Sequence, residues 1–277
     1  MKKVLVVAVG VVVALGMLAS SAFAFSFTQE YVGAIKFKFS DYSTGSLYGS
    51  SSEDGYGNAD GEEDAWGIFK VSGILSDDGN DTTLWYDGKD GEQLTGIYYG
   101  IDDDYWLLDG TGLTIESVGG HLNLYLDSDT SFSSTAGPGV RSGDDYPNVT
   151  DGLLFLSADF AEGVKYDDGD PDNDYITYYN HLTSNTSPFT GGGSFYLDVD
   201  GGEYANLFDS DYWLLTDDSG NSVYRDFWAQ FDTTTSGAGQ WLVTSEDPIS
   251  GATVPEPASM ALLSLGLLGA ARLRRRG

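Results

Sequence analysis

The stretch "EYVGAIKFKFSDY" constrains the fold more than any other feature of the chain. Tyr31, Ile35, Phe37 and Phe39 fall on one side, while Lys36 and Lys38 fall on the other. A period of two puts successive side chains on opposite faces of an extended backbone, so this segment reads as a half-buried β-strand. The same texture recurs in "AWGIFKVSGIL", "HLNLYLDSD", "GLLFLSADF", "SFYLDVDGG" and "QWLVTS", each bounded by glycine, aspartate or serine. In "HLNLYLDSD" the alternation sets Leu122, Leu124 and Leu126 inward against His121, Asn123 and Tyr125. No segment between 25 and 250 sustains an amphipathic helical pattern over three turns. The expectation is therefore an all-β chain with ten or more short strands in a single β-sandwich of jelly-roll-like topology and one short helix.

Two copies of nearly the same phrase, "DDDYWLL" (102–108) and "DSDYWLL" (209–215), look like an internal repeat. The similarity stops at the edges of the phrase, which favours two strands with the same local solution over duplication. On that reading the acids lie outside, and Trp106 and Trp213 point to the core.

The two ends have a different composition. Lys2 and Lys3 precede an apolar run from Val4 to Ala19, followed by Ser20, Ser21, Ala22, Phe23 and Ala24. Basic residues, an apolar run and an A-x-A site in that order are those of a secretory signal peptide, cleaved after Ala24 and handled by the Sec export machinery. At the other end, Pro255 and Pro257 hold the chain extended around Glu256, because each ring fixes its own φ and restricts the residue before it. Fourteen mostly apolar residues follow, Ala258 to Ala271, and then Arg272, Arg274, Arg275 and Arg276. As a helix that run is about 21 Å long, short of the roughly 30 Å hydrocarbon core. The arginines would keep its end on the cytoplasmic side. The divisions are thus a signal helix at 1–24, an acidic β-domain at 25–251 and a sorting segment with a short transmembrane helix at 252–277.

Between the ends only seven basic residues remain (Lys36, Lys38, Lys70, Lys89, Arg141, Lys165 and Arg225), against all but one of the 43 Asp and Glu. Such a body repels nucleic acid and anionic lipid, so no nucleic-acid partner is expected. The chain has no cysteine, which excludes disulfides, thiolate metal sites and thiol catalysis.

The densest acidic loop, "YDDGDPDNDY", alternates Asp168, Asp170, Asp172 and Asp174. Calcium takes six to eight oxygens, and alternate aspartates on a turning loop supply several, making these four the candidate calcium ligands. The loop departs from an EF-hand, with Asn173 at the sharp-turn glycine and Tyr179 at the bidentate glutamate. A solvated acidic turn is the competing reading. For catalysis the sequence offers two histidines, His121 and His181, and neither a nucleophile elbow nor a phosphate loop. No catalytic residue is assigned and the expectation is a non-enzyme. Eighteen tyrosines and six tryptophans leave aromatic faces for stacking on sugars, although both residue types are also simply good strand formers.

The order "VPEPAS", short apolar helix, arginine cluster resembles the PEP-CTERM sorting signal of Gram-negative bacteria that make exopolysaccharide. The resemblance implies recognition by exosortase, an integral-membrane processing enzyme, with Val254, Pro255, Glu256 and Pro257 as the processing motif and a transient stay in the inner membrane. The body also resembles PEP-CTERM proteins without established activity, through "EEDAWGIFKVSGI", "LTGIYYGIDD", "HLNLYLD", "DGLLFLSADF" and "FYLDVDGG". The resulting expectation is an exported, noncatalytic cell-surface or extracellular-matrix protein that contributes to biofilm or floc structure. The alternative is a calcium-assisted carbohydrate-binding module acting on exopolysaccharide.

Overall fold

The computed structural model describes residues 25–45, 59–108, 110–183, 188–235 and 241–255. The chain divides into two compact units, Met1–Glu30 and Tyr31–Gly277. Of the first, residues 25–30 are described, with the rings of Phe25 and Phe27 edge-on at 5.4 Å.

The second unit is built of β1 (Gly33–Gly45), β2 (Ala65–Ser76), β3 (Thr83–Tyr86), β4 (Gln93–Leu108), β5 (Leu113–Asp127), β6 (Leu153–Ala161), β7 (Tyr178–Leu182), β8 (Phe189–Gly201), β9 (Trp213–Thr216), β10 (Ser222–Arg225), β11 (Phe227–Thr235) and β12 (Val243–Thr253). The one α-helix among the described residues is the single turn α1 (Ala205–Phe208). The all-β expectation holds. The segments singled out by alternation fall in strands with two exceptions: Tyr31 precedes β1 and instead donates its hydroxyl to the Ala34 carbonyl at 2.8 Å, and of "QWLVTS" only Val243 to Ser245 lie in β12, with Trp241 and Leu242 ahead of it and Gln240 outside the described residues.

Ten strands form one antiparallel sheet: nine follow the order β1-β12-β11-β8-β6-β5-β4-β2-β3, and β7 lies off this path, paired with β5 and β8. β1 also pairs with β2, from Ile35 opposite Ser76 to Gly45 opposite Ala65, so the sheet closes into a ring. One position of that ring is shared. β5 pairs with β7 over Leu113–Ser117 and with β6 over His121–Leu126, and β8 divides between the same two strands. The sandwich-like packing is therefore built by one sheet that faces itself across a core. Its path corrects the jelly-roll expectation: neighbours around the ring follow chain order, a meander without Greek-key crossings. The tendency of consecutive elements to lie beside each other favours this path, and closure pairs both sides of each ring strand.

Inward positions alternate along each strand and are apolar through most of the ring. Phe37 meets Phe227 at 5.8 Å, and Phe160 meets Phe195 at 4.7 Å. Burying each such side chain stabilises the fold by about 1.5–3 kcal/mol. The packing is tight enough that Gly96 is required where it stands, since a Cβ there would lie 2.2 Å from the Phe69 ring.

A second apolar cluster lies outside the ring. Ile68 and Ile97, outward on β2 and β4, are fully buried beneath Tyr146, Val149 and Trp241. The β5–β6 connection is anchored by Thr95 Oγ1 donating to the Val149 carbonyl at 2.8 Å and Trp241 Nε1 donating to the Ser134 carbonyl at 2.7 Å. Tyr125, expected to face water, packs against this cluster.

The "DDDYWLL" reading is corrected in part. A bulge between Asp103 and Tyr105 leaves Asp104 without a register partner. Asp102 and Asp104 are buried, with Asp102 Oδ2 accepting the Gly61 N–H at 2.7 Å and Asp104 Oδ1 accepting the Ala59 N–H at 3.1 Å. Bulges re-aim side chains in this way, and backbone donors make the burial of the carboxylates tolerable. Trp213 stands on the separate β9–β10 hairpin, and both it and Trp106 are half-buried.

The signal helix and the short transmembrane helix lie outside the described residues. Among the described residues no helix is long and apolar enough to cross a membrane.

Candidate functional site

Three places concentrate chemistry: the polar end of the barrel interior, a recess on its outer face, and the segment that leaves β12.

The interior changes character along β1. After Ile35, Phe37 and Phe39 the next inward residue is Asp41, only 4% exposed. Ladder register sets it opposite Ser245 of β12 and Phe69 of β2. Asp41 Oδ1 accepts the Ser245 N–H at 2.7 Å and the Ser245 hydroxyl, while Oδ2 accepts the Tyr98 hydroxyl at 2.8 Å. Burial pushes the Asp41 carboxyl up to about 6, with the Ser245 and Tyr98 hydrogen bonds holding it below what burial alone would give.

Nearby, Asp103 accepts the Ser117 hydroxyl at 2.7 Å and is pushed up to about 7, chiefly by burial. Burial also raises the Tyr98 and Tyr178 phenols. Asn180 donates from Nδ2 to the Tyr178 hydroxyl and to Thr233 Oγ1, both at 3.3 Å, and its buried carbonyl oxygen has no hydrogen-bond partner among the described residues. A cavity of about 40 Å³ touches Asp41, Tyr98, Tyr178 and Thr233. That is room for a very few water-sized groups. Chemically the cluster orders one end of the barrel and takes up protons near neutrality. Neither histidine joins these hydrogen bonds: His121 Nδ1 meets Asp159 Oδ1 at 2.5 Å on an exposed face, and His181 Nδ1 meets Thr114 Oγ1 at 2.9 Å.

The outer recess, about 460 Å³, lies on β7, β8, β11 and β12. Register places Gln230 opposite Ser194, Asp232 opposite Gly192, Tyr179 opposite Ser194 and Trp228 opposite Ser250. The glycine run exists for packing: a Cβ on Gly191 would sit 2.0 Å from the His181 carbonyl oxygen, and one on Gly193 2.4 Å from that of Tyr179. Gly192 leaves the outer surface bare between the polar side chains. Trp228 is stacked beside Tyr196 at 6.4 Å and meets Trp213 edge-on at 5.4 Å. Trp213 Nε1 in turn donates to the Ser250 carbonyl at 3.1 Å. The Tyr179 ring carries the Lys165 ammonium at 4.5 Å, and that ammonium pairs with Glu116 at 2.8 Å.

The candidate calcium ligands are turned onto their own loop. Asp168 Oδ1 accepts the Asp170 N–H at 3.0 Å, Asp168 Oδ2 accepts Asn173 Nδ2 at 2.9 Å, and Asp170 Oδ1 accepts the Asp172 N–H at 3.2 Å. Desolvation, followed by the charges of Asp218 and Asp217, raises the Asp174 carboxyl. Among the described residues no group of three or more His, Asp or Glu is placed to hold a metal ion.

Of the residues assigned to sorting, Val254 and Pro255 are described. β12 pairs with β1 as far as Thr253 opposite Gly33, and the Val254 N–H then donates to the Leu207 carbonyl at 2.9 Å. Glu256, Pro257, Arg272, Arg274, Arg275 and Arg276, and the signal-cleavage residues Ala22 and Ala24, lie outside the described residues.

Sequence reasoning missed Asp41, Asp103 and the recess. For Asp41 a signal was present, since it continues the inward phase of Ile35, Phe37 and Phe39; the recess had none, because it depends on register between distant strands.

No curated protein and no solved structure matches the chain. Residues 253–276 match the family model of the PEP-CTERM protein-sorting motif, beginning at the last residue of β12. The chain thus carries a PEP-CTERM protein-sorting motif at residues 253–276, which supports reading it as a substrate of exosortase.

Proposed function

We propose that this is a noncatalytic cell-surface or extracellular-matrix protein, held briefly in the inner membrane by its tail, cut there by exosortase and then contributing to biofilm or floc structure. The observation that carries this reading is the abutment of sorting motif and barrel: the motif begins where the last ladder pairing ends. Cutting at Pro255 to Pro257 would therefore release the folded body without disturbing a strand. A noncatalytic role is supported by the interior carboxyls, which are engaged by Ser245, Tyr98 and Ser117 rather than by a histidine.

The test is the native host with its exosortase inactivated. The expected result is a chain that stays with the membrane fraction, keeps its arginine tail and leaves a thinner matrix. Normal surface delivery in that strain contradicts the reading.

A second reading, a carbohydrate-binding module acting on exopolysaccharide, is favoured by the outer recess, which combines three aromatic side chains, Tyr179, Trp228 and Phe231, with an amide and a carboxylate. Its calcium-assisted form assigns Asp168, Asp170, Asp172 and Asp174 to the ion and predicts that a chelator abolishes glycan binding. Binding that survives the chelator removes calcium from the account and leaves the carbohydrate part standing.

A further inference from the structure

We propose that the recess on β7, β8, β11 and β12 is a binding site for a neutral saccharide chain, with Trp228 as the stacking platform and Gln230 and Asp232 as hydroxyl partners. The inference rests on the carbohydrate-binding reading and deepens it by naming the place and the class of glycan.

The recess has a volume within the range of ligand sites. Its occupant must satisfy both of its halves. Aromatic faces attract the C–H face of a sugar ring, whereas hydroxyls need partners that donate and accept. The Gln230 amide does both, the Asp232 carboxylate accepts, and the Ser194 and Ser250 hydroxyls adapt to either role.

Three other occupants fit less well. An extended peptide binds sheets by pairing with a free edge, but β11 is paired on both sides, with β8 and β12. An acyl chain would leave the Gln230 amide and the Ser194 and Ser250 hydroxyls unsatisfied and would desolvate the exposed Asp232 carboxylate. A uronate or phosphate polymer would meet Asp232, with Glu246 opposite it in register, on a chain of formal net charge −30, and Lys165, on the Tyr179 ring that lines the recess, is already paired with Glu116. A neutral glycan suffers none of these penalties.

The platform is also fixed before a ligand arrives. Trp228 packs against Tyr196 and against Trp213, whose indole is tied to Ser250, so little side-chain freedom is lost on binding.

The experiment is calorimetric and fluorescence titration of the full chain with three probes: cello-oligosaccharide, dextran oligosaccharide and polygalacturonate. The expected result is binding of at least one neutral probe with a shift in tryptophan emission, and none of polygalacturonate. Trp228→Ala should weaken it roughly tenfold or more, the effect of losing about 1.4 kcal/mol. Because Trp228 is half-buried, Gln230→Ala and Asp232→Asn serve as exposed variants whose melting should match the parent while binding falls several-fold. Neutral-glycan binding unchanged in all three variants overturns this site while the carbohydrate reading survives. Absence of binding to every probe overturns both. Preferential binding of polygalacturonate overturns the assignment of a neutral ligand.

Discussion

Asp41 sits where the inward face of β1 passes from phenylalanine to carboxylate, and this single exchange makes stability depend on pH. Burial lifts its carboxyl from the ordinary 3.8 to about 6, so between those values the folded chain holds a proton that the unfolded chain has released. The resulting stabilisation is complete below the lower value and is lost as pH rises through the upper one. The gap corresponds to about 3 kcal/mol. Asp103, lifted to about 7, extends the loss toward neutrality. The exposed Asp78 and Asp217 shift the opposite way, held low by local hydrogen bonds. Thermal melting should therefore show a more stable chain at pH 5 than at pH 8, and Asp41→Asn should flatten the slope between pH 5 and pH 7 without lowering the melting temperature at pH 8. An unchanged slope would remove Asp41 as its cause. Close packing makes a separate prediction at Gly96, where a new Cβ would lie 2.2 Å from the Phe69 ring and 2.7 Å from the Asn123 carbonyl oxygen. Gly96→Ala should cost about 1–3 kcal/mol in urea unfolding; a neutral effect would mean that Phe69 moves aside freely.

Among the elements, the strongly alternating strands were legible, whereas β3, β7, β10 and β11 and the partnership of all the strands were not. Ile35, Phe37 and Phe39 against Lys36 and Lys38 announce β1 by period alone, and Leu122, Leu124 and Leu126 do the same for β5. The sharing of one ring position by β6 and β7 leaves no trace in either strand's alternation, because it depends on which halves of β5 and β8 they meet. The covering of Ile68 and Ile97 by the β5–β6 connection was equally hidden, since Phe132, Tyr146 and Val149 are scattered among turn residues. β12 joins the fold to the sorting segment. Its last four residues pair with Gly33 to Lys36, opposite the fully buried Ile35. Ending the chain after Pro255 should therefore leave the melting temperature within about a degree of the parent, as expected for surface changes of small ΔΔG. Ending it after Ile249 should lower it by many degrees, because the ring loses part of its closing ladder. Equal melting of the two truncations would contradict closure through β1 and β12.

At the scale of the whole molecule, three features work together: a closed ring that stands without cysteine, a strongly anionic body, and a basic apolar tail. The sorting motif was readable in full because its information lies in linear order: prolines around Glu256, an apolar run, then arginines. The interior cluster was not, because Asp41 and Ser245 are 204 residues apart and meet only through the β1–β12 register. On the proposed function the tail is what holds a body that repels anionic surfaces at the membrane, so removing the tail should decide where the protein resides. The most direct test is mass spectrometry of the C-terminal peptide of the mature protein from its native host. The expected peptide ends at or near Pro255, Glu256 or Pro257 and lacks Arg272 to Arg276, whereas a mature chain still ending in its arginine cluster would contradict processing by exosortase.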